Sequence, residues 1–180
     1  AAQYWGKGDK KTAEEVLAIT MRYSLLVGLI FTLTTALLPK QIMMIFTSDS
    51  MLIESGAKYL RMVSLSYLLT GFTQAYFGMM KVCSRAKLSS VIGSLSVVIN
   101  IILNALLIFG IGFFPKMNIE GAALATVLAR IFEAIMVIIA VLQKLCPSLN
   151  LKLMLKSDNK ELHKDYWKYT VPLLINQIGW

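Results

Sequence analysis

An uncharged stretch of 28 residues, from Leu88 to Pro115, is the feature that most limits how this chain can fold. A helix needs about 20 residues to cross the roughly 30 Å hydrocarbon core of a bilayer, so this stretch is long enough to span one. It is almost wholly apolar, yet it contains two carboxamides one helical turn apart, Asn100 and Asn104. Because a carboxamide removed from water must find hydrogen-bond partners, the solvent around this stretch decides what the two residues can do.

Three further apolar runs lie from about Tyr23 to Leu38, from Met62 to Met80 and from Gly121 to about Gln143, and another begins near Tyr169. Of the 180 residues, 57% are hydrophobic and only 16% charged, against roughly 45–50% and about 25% in soluble domains. The runs are too long, and alternate too little, for barrel strands. The sequence therefore predicts an all-α, polytopic integral membrane helix bundle with four complete spanning helices and the start of a fifth.

Charge and spacing divide the chain into three predicted parts: spanning helices over residues 1–143, a cytoplasmic linker over 144–168, and the start of the next span over 169–180. Thr12 and Glu15 have the spacing of a capping box that would open the first span. Asp158 and Glu161 have the same spacing in the linker, where lysines recur at every fourth position. This pattern is typical of an amphipathic helix on a membrane surface, or of a plain linker.

The distribution of basic residues predicts the orientation of the spans. Thirteen lysines and arginines fall in the first segment, the turn before Leu88 and the segment after Gln143, against four on the opposite side. The positive-inside rule therefore predicts that both ends of the chain are cytoplasmic. We expect the membrane itself to be the plasma (inner) membrane. The net charge of +8 is then explained by the basic residues on the cytoplasmic side of the membrane. No nucleic-acid partner is expected, because the sequence shows no basic groove with interleaved aromatics.

Small and polar residues share one face on each of three spans when the residues are placed at 100° intervals. The faces consist of Ser64, Tyr67, Gly71, Gln74 and Gly78; of Ser89, Gly93, Ser96, Asn100 and Asn104; and of Ala122, Ala125, Thr126, Ala129 and Glu133. Such faces allow close helix packing in lipid. The carboxamides on two of the three faces also favour a second interpretation, a hydrated pocket or an ion site between the helices.

Arg130 and Glu133 lie near the middle of a predicted span, where an unpaired charge would cost at least about 2.5 kcal/mol. Their spacing of three residues allows an intrahelical ion pair. A structural pair and a role in proton or cation handling are both open.

The sequence shows no arrangement typical of an enzyme. Cys83 and Cys146 form no metal-ligand pattern, His163 is the only histidine, and the GKG at residues 6–8 lacks the setting of a phosphate loop. We therefore expect no catalytic residues and no resident cofactor.

Several segments resemble the multidrug and toxic compound extrusion (MATE) family of cation-coupled antiporters. QYWGKGD (3–9) is similar to the loop after the family's second helix. NIILNALLIFG (100–110), FPKM and IEGAALATVLARIFE (119–133) resemble the fifth and sixth helices, and DYWKYTVPLLINQ (165–177) resembles the entry to the seventh. The resemblance implies that the chain is an excerpt, from the end of helix two to the start of helix seven of a twelve-helix, two-lobed transporter.

The resemblance also implies a cation-binding cavity in the first lobe. Some branches of the family line it with an Asn and an Asp four apart on the fifth helix and a Thr on the sixth, and the matching positions here are Asn100, Asn104 and Thr126. Asn104 stands where those branches have Asp and cannot exchange a proton, and Gln177 lies where many relatives carry Glu. Within this chain, Glu133 is then the remaining candidate for a titratable partner.

These observations predict an antiporter that exports amphipathic or cationic organic compounds in exchange for Na⁺ or H⁺. Its cavity would be lined by Tyr67, Gln74, Asn100, Asn104 and Thr126, and Na⁺ would bind at the two asparagines. The expected partners are the lipid bilayer and the remaining helices of the transporter. A lipid-linked oligosaccharide flippase of the same superfamily is one alternative, although it usually needs several cationic residues where this chain offers only Arg130. A non-transporting membrane sensor or assembly subunit is the other.

Overall fold

The computed structural model describes residues 1–112, 114–145, 147, 153–154 and 160–178. These residues form seven helices and the turns between them. In chain order the helices are α1 (Ala2–Gly6), α2 (Lys10–Leu37), α3 (Pro39–Phe46), α4 (Ser50–Val82), α5 (Ala86–Phe109), α6 (Asn118–Leu142) and α7 (Lys160–Ile178). The all-α prediction is confirmed.

Helix α4 lies at the centre of the bundle and packs against α2, α3, α5 and α6, while α5 and α6 also pack against each other. Three helices, α2, α5 and α6, are both long enough and apolar enough to cross a membrane. With 33 residues α4 is long enough as well, at about 50 Å. It is more polar than the other three because its neighbours, rather than lipid, cover much of its surface.

The distribution of side chains on α5 is the reverse of that in a water-soluble helix. Ser89 and Ser96 are buried, whereas Val91, Val98 and Ile101 are about half exposed. Exposed aliphatic side chains along a helix of spanning length are what the hydrocarbon core of a bilayer accommodates. The fold therefore places small polar groups inside the bundle and aliphatic groups outside.

Glycines permit the close approach of neighbouring helices. A Cβ added at Gly71 of α4 would lie 2.7 Å from the Ser24 carbonyl oxygen of α2. A Cβ at Gly121 of α6 would lie 2.6 Å from the Leu107 carbonyl oxygen of α5. Both distances are below van der Waals contact, so the two glycines allow the helix backbones to approach closely, as helix packing in lipid requires.

The predicted beginning of the first spanning helix is wrong by about one turn. Helix α2 begins at Lys10, and its N-cap is Asp9, whose Oδ1 accepts from the Thr12 amide at 3.1 Å and whose Oδ2 accepts from the Thr12 hydroxyl at 2.6 Å. Because the Asp9 carboxylate caps the helix three residues earlier, Thr12 lies inside the first turn, where it donates to the cap and is not itself the cap. The second predicted capping box begins at Asp158, outside the described residues.

Helix α3 begins immediately after α2 because Pro39 occupies its first position, where the missing amide hydrogen is no loss. The residues QIMMIF (41–46) are part of this helix of eight residues.

Helix α7 contacts α2 through an aromatic cluster centred on Tyr23. The Trp167 indole donates to the Tyr23 hydroxyl at 3.2 Å, and the rings of Tyr23 and Tyr166 stack with centroids 5.6 Å apart. Arg22, the preceding residue of α2, donates from Nε to the Met154 carbonyl oxygen at 2.8 Å. One helix runs across the predicted boundary between residues 168 and 169, and the domain limits themselves stay a prediction.

Candidate functional site: a carboxamide pair and an aromatic cavity

The two carboxamides of α5 hydrogen-bond to each other. Asn104 Nδ2 donates to Asn100 Oδ1 at 3.0 Å across one helical turn, and both residues are part-buried. Asn104 Oδ1 is buried and has no hydrogen-bond partner among the described residues. A buried carbonyl-type oxygen without a donor carries a desolvation cost of about 1–3 kcal/mol, which an ion or a water molecule at the site would remove.

Thr126 lies at the level of Asn100 on the neighbouring helix. The Ser96 hydroxyl of α5 donates to the Ala129 carbonyl oxygen of α6 at 3.1 Å, and the Met117 amide donates to the Leu107 carbonyl oxygen at 2.9 Å, so the helices are antiparallel. Asn100 lies four residues after Ser96 on α5, and Thr126 lies three residues before Ala129 on α6. At 1.5 Å per residue, these two offsets along the antiparallel helices are nearly equal. Asn100 and Thr126 thus lie at about the same level of the α5–α6 interface, and Asn104 lies one turn further along α5.

The donor atoms of this group are neutral oxygens. Amide and hydroxyl oxygens are suitable ligands for hard cations, which prefer oxygen to nitrogen or sulfur. The Thr126 hydroxyl donates to the Ala122 carbonyl oxygen at 3.0 Å, which leaves its lone pairs available to a ligand. Among the described residues, no three His, Cys, Asp or Glu side chains are grouped as a multivalent metal site would require.

Tyr67 and Gln74 belong to a different part of the molecule. They line a cavity of about 370 Å³ between α2, α4 and α7, within the usual range for small-molecule sites. Its lining residues are Tyr23, Ser24, Val27, Gly28, Phe31, Tyr67, Thr70, Gly71, Gln74, Tyr166, Trp167 and Thr170. Asn100, Asn104 and Thr126 are not among them, so the five residues predicted to line one cavity fall into two separate groups.

Aromatic rings dominate this cavity, and most were not predicted as site residues. The rings of Phe31 and Tyr67 have centroids 6.0 Å apart, and the Tyr23 and Trp167 rings meet edge to face at 5.0 Å. Tyr166 and Trp167 had a signal in the sequence, since they stand among the aromatics that open the fifth span, but that pattern indicates a membrane-interface belt. Nothing in the sequence near Tyr23 or Phe31 indicates a cavity.

Arg130 and Glu133 form the ion pair that their spacing allows. Arg130 Nη1 lies 2.5 Å from Glu133 Oε2, and the side chains are 27% and 1% exposed. The second carboxylate oxygen, Glu133 Oε1, is buried without a hydrogen-bond partner among the described residues. The structural pair is present, while a role in ion handling stays a prediction.

Spanning-length helices, aliphatic exteriors and small polar interiors define a multi-pass helical membrane protein. The MatE family model matches residues 1–106. The chain therefore belongs to the MATE family of membrane transporters, as the resemblance in its motifs predicts.

Two curated relatives extend the match along the chain. A probable multidrug resistance protein NorM of Thermotoga maritima is 28% identical over 130 residues, which are 72% of this chain and 28% of that protein. A probable multidrug resistance protein YoeA of Bacillus subtilis is 25% identical over 179 residues, 98% of this chain and 38% of that protein. The chain thus spans well under half the length of either relative.

The fold itself is that of a solved MATE structure. A multidrug resistance MATE family transporter of the MOP superfamily, in an inward-facing conformation, superposes with a TM-score of 0.79 over 95% of this chain and 38% of that one, at 21% identity. This likeness shows the fold alone.

Proposed function

We propose that this chain forms the first-lobe helices, the inter-lobe linker and the start of the second lobe of a cation-coupled multidrug antiporter. Residues 1–143, 144–168 and 169–180 are the three parts, and both ends face the cytoplasm of a plasma (inner) membrane. The complete protein would export amphipathic or cationic organic compounds by rocking its two lobes around a site between them.

The unpartnered Asn104 Oδ1 is the observation that carries cation coupling. It lies one helical turn from Asn100, which shares the level of Thr126 on α6, so three neutral side-chain oxygens are available along this part of the α5–α6 interface. Because Asn104 cannot exchange a proton, this group favours Na⁺, a hard cation, over H⁺. The sequence motif and the buried oxygen support the same site independently.

The aromatic cavity supports organic cations as the compounds carried. Tyr23, Phe31, Tyr67, Tyr166 and Trp167 present ring faces and edges around one space, and Gln74 adds a polar group. A cation over an aromatic face gains about 0.5–2 kcal/mol, without the desolvation cost that a buried carboxylate would bring. No charged side chain is among the residues that line this cavity, which disfavours the pyrophosphate of a lipid-linked oligosaccharide.

Transport by the complete two-lobe protein in proteoliposomes tests the proposal. A fluorescent organic cation such as ethidium should be carried when a Na⁺ gradient is imposed, and Asn104→Leu should abolish the dependence on Na⁺. Ser94→Ala is the matched control, because Ser94 is exposed on the same helix. Equal dye accumulation under every gradient would instead support a non-transporting membrane protein.

A further inference from the structure

A charged cavity lies at the end of the bundle where α3 follows α2 and where α4 and α6 begin. Its volume is about 510 Å³. Five of the seven described residues that line it are charged, namely Lys40 of α3, Glu54, Lys58 and Arg61 of α4, and Glu120 of α6. Three positive and two negative side chains give this lining a net charge of plus one. The cavity shares no lining residue with the aromatic cavity, so it is a separate space.

The cationic groups of this end of the bundle are concentrated at the cavity. Among the described residues, the end carries four lysines and arginines, which are Lys40, Lys58, Arg61 and Lys116. Three of these four line the cavity. Glu54, Lys58 and Arg61 follow one another at intervals of four and three residues, which places them on one face of α4. Positive charge is therefore directed to one space and is not spread over the surface.

The charged groups of the cavity do not neutralise one another. Glu54 and Lys58 have the spacing of an intrahelical ion pair, yet the ion pair found among the described residues is that of Arg130 and Glu133. The five charged side chains are also exposed, so none is held in place by burial. Both signs of charge are thus available to a ligand that enters the cavity.

The cavity lies at the level where three helices leave the hydrocarbon. Lys40, Arg61 and Glu120 are the charged residues that border the apolar runs of α2, α4 and α6. At 1.5 Å per residue, Lys58 lies about 5 Å and Glu54 about 10 Å further out along α4. The headgroup layer of a bilayer is about 5–8 Å thick on each side. Lys58 is therefore within the headgroup layer and Glu54 is at its outer edge.

Helix α3 presents apolar side chains beside the cavity. A Cβ added at Gly56 of α4 would meet the Met43 side chain, so α3 packs against α4 through Met43. The next three residues are between 61% and 79% exposed, and they are Met44, Ile45 and Phe46. Met44 is one turn from Lys40 on the same helix, which places an apolar side chain beside a cation. A lipid, whose acyl chains adjoin its phosphate, matches this combination better than a free anion does.

We propose that this cavity binds the headgroup of a phospholipid with a primary ammonium, such as phosphatidylethanolamine. The lipid belongs to the leaflet at this end of the bundle, which is the outer leaflet in the orientation proposed above. Its phosphodiester accepts hydrogen bonds from Lys40, Lys58 and Arg61. Its ammonium donates to Glu54 and Glu120, which a wholly anionic headgroup would leave unpaired. The site does not depend on the proposed transport function.

The melting temperature of the complete protein, delipidated in a neutral detergent, measures binding because a ligand of the folded state stabilises it. Short-chain phosphatidylethanolamine should raise this temperature more than phosphatidylglycerol or phosphatidylcholine with the same chains. Phosphatidylcholine is the matched control among the lipids, since it carries the same two charges but its ammonium has no N–H to donate. Equal increases from all three lipids would overturn the proposal.

Glycerophosphoethanolamine, the same headgroup without acyl chains, distinguishes a lipid from a free phosphodiester. We expect it to bind at least about tenfold more weakly than the lipid, because it lacks the apolar surface that α3 would cover. Equal affinity for the two would overturn the assignment of the ligand as a lipid.

The positive side of the cavity is tested with Arg61→Gln. The variant should weaken binding of phosphatidylethanolamine by about tenfold, since a charge-assisted hydrogen bond is lost. Lys58→Gln should act in the same direction, which keeps the test available if Arg61→Gln fails to fold. Lys116→Gln is the matched control, because Lys116 is an exposed lysine of the same end that does not line the cavity. Equal weakening by Arg61→Gln and Lys116→Gln would overturn the proposal.

The negative side is tested with Glu54→Gln. This variant removes an acceptor for the ammonium and raises the net charge of the lining to plus two, so the preference for phosphatidylethanolamine over phosphatidylglycerol should disappear or reverse. Lys116→Gln should retain the preference of the wild type. A preference that survives unchanged in Glu54→Gln and also in Glu120→Gln would show that the carboxylates do not bind the ammonium, and the proposal would be wrong.

Discussion

Asn104 donates its side-chain amide to Asn100 Oδ1 at 3.0 Å and keeps its own oxygen buried without a partner among the described residues. A ligand that binds only the folded protein stabilises it, by about 1.4 kcal/mol at ten times its dissociation constant. We therefore expect the complete protein to melt at a higher temperature in sodium chloride than in choline chloride. Asn104→Leu should lose this difference, because it removes the buried oxygen.

The control for this prediction is Ser94→Ala, which alters an exposed position of the same helix. It should melt higher in sodium chloride by the same amount as the wild type. A sodium-dependent increase that persists in Asn104→Leu would place the ion elsewhere.

The spanning helices were predictable because a charged side chain in the hydrocarbon core of a bilayer has a high free-energy cost, so the spans are visible as uncharged runs. The starts of α5 and α6 lie within a few residues of the uncharged run beginning at Leu88 and of the run beginning at Gly121. The start of α2 was not predicted, because Asp9 and Thr12 are both good caps and the choice between them depends on local hydrogen bonds.

The candidate site could be predicted only in part. Asn100 and Asn104 share a helix face by periodicity alone, and their hydrogen bond follows from a spacing of four. The aromatic cavity could not be predicted from the sequence, because it depends on the contact between Tyr23 and Trp167, which are 144 residues apart in the sequence. Packing between distant helices is set by the shapes of whole surfaces, and no local pattern encodes it.

Close packing of α2 against α4 depends on Gly71. Its missing Cβ would lie 2.7 Å from the Ser24 carbonyl oxygen, a backbone atom that cannot turn aside. Gly71→Ala should therefore reduce the free energy of unfolding by about 1–3 kcal/mol. Gly78→Ala on the same helix is the matched control, because a Cβ there meets nothing within 4 Å. It should gain up to about 1 kcal/mol from helix propensity. Equal stability of the two variants in denaturant unfolding would contradict this account.

The Tyr23 hydroxyl connects α2 to α7. It accepts from the Trp167 indole at 3.2 Å and lies 3.4 Å from His163 Nδ1. Tyr23→Phe should weaken this contact by about 0.5–1.5 kcal/mol and shift Trp167 fluorescence to longer wavelength as water reaches the indole. The measurement requires every other tryptophan of the protein, Trp5 and Trp180 among them, to be replaced by Phe so that Trp167 alone reports.

Tyr169→Phe removes a hydroxyl from an exposed position of the same helix, where the side chain is 63% exposed. Its emission should match that of the parent protein. If both tyrosine variants shift the emission equally, the hydroxyl of Tyr23 has no special part in joining the helices.

The first turn of α2 should respond to acid through Asp9. Hydrogen bonds from the Thr12 hydroxyl and then from the Thr12 backbone amide, with a further contribution from the Lys11 charge, hold the pKa of Asp9 below its ordinary value of 3.8. A carboxyl whose pKa is lower in the folded state stabilises that state above its unfolded pKa. The contribution of the cap is therefore complete above about pH 4 and is lost as the pH falls through the lower, folded value.

Hydrogen exchange of the Thr12 amide, corrected for its intrinsic pH dependence, measures this change, since the amide donates to Asp9 Oδ1 at 3.1 Å. Protection should be constant above about pH 4 and should fall in stronger acid. Asp9→Asn keeps a good cap that does not titrate, so its protection should remain flat over the whole range. A parallel fall in the asparagine variant would mean that acid loosens this turn by some route other than the Asp9 carboxyl.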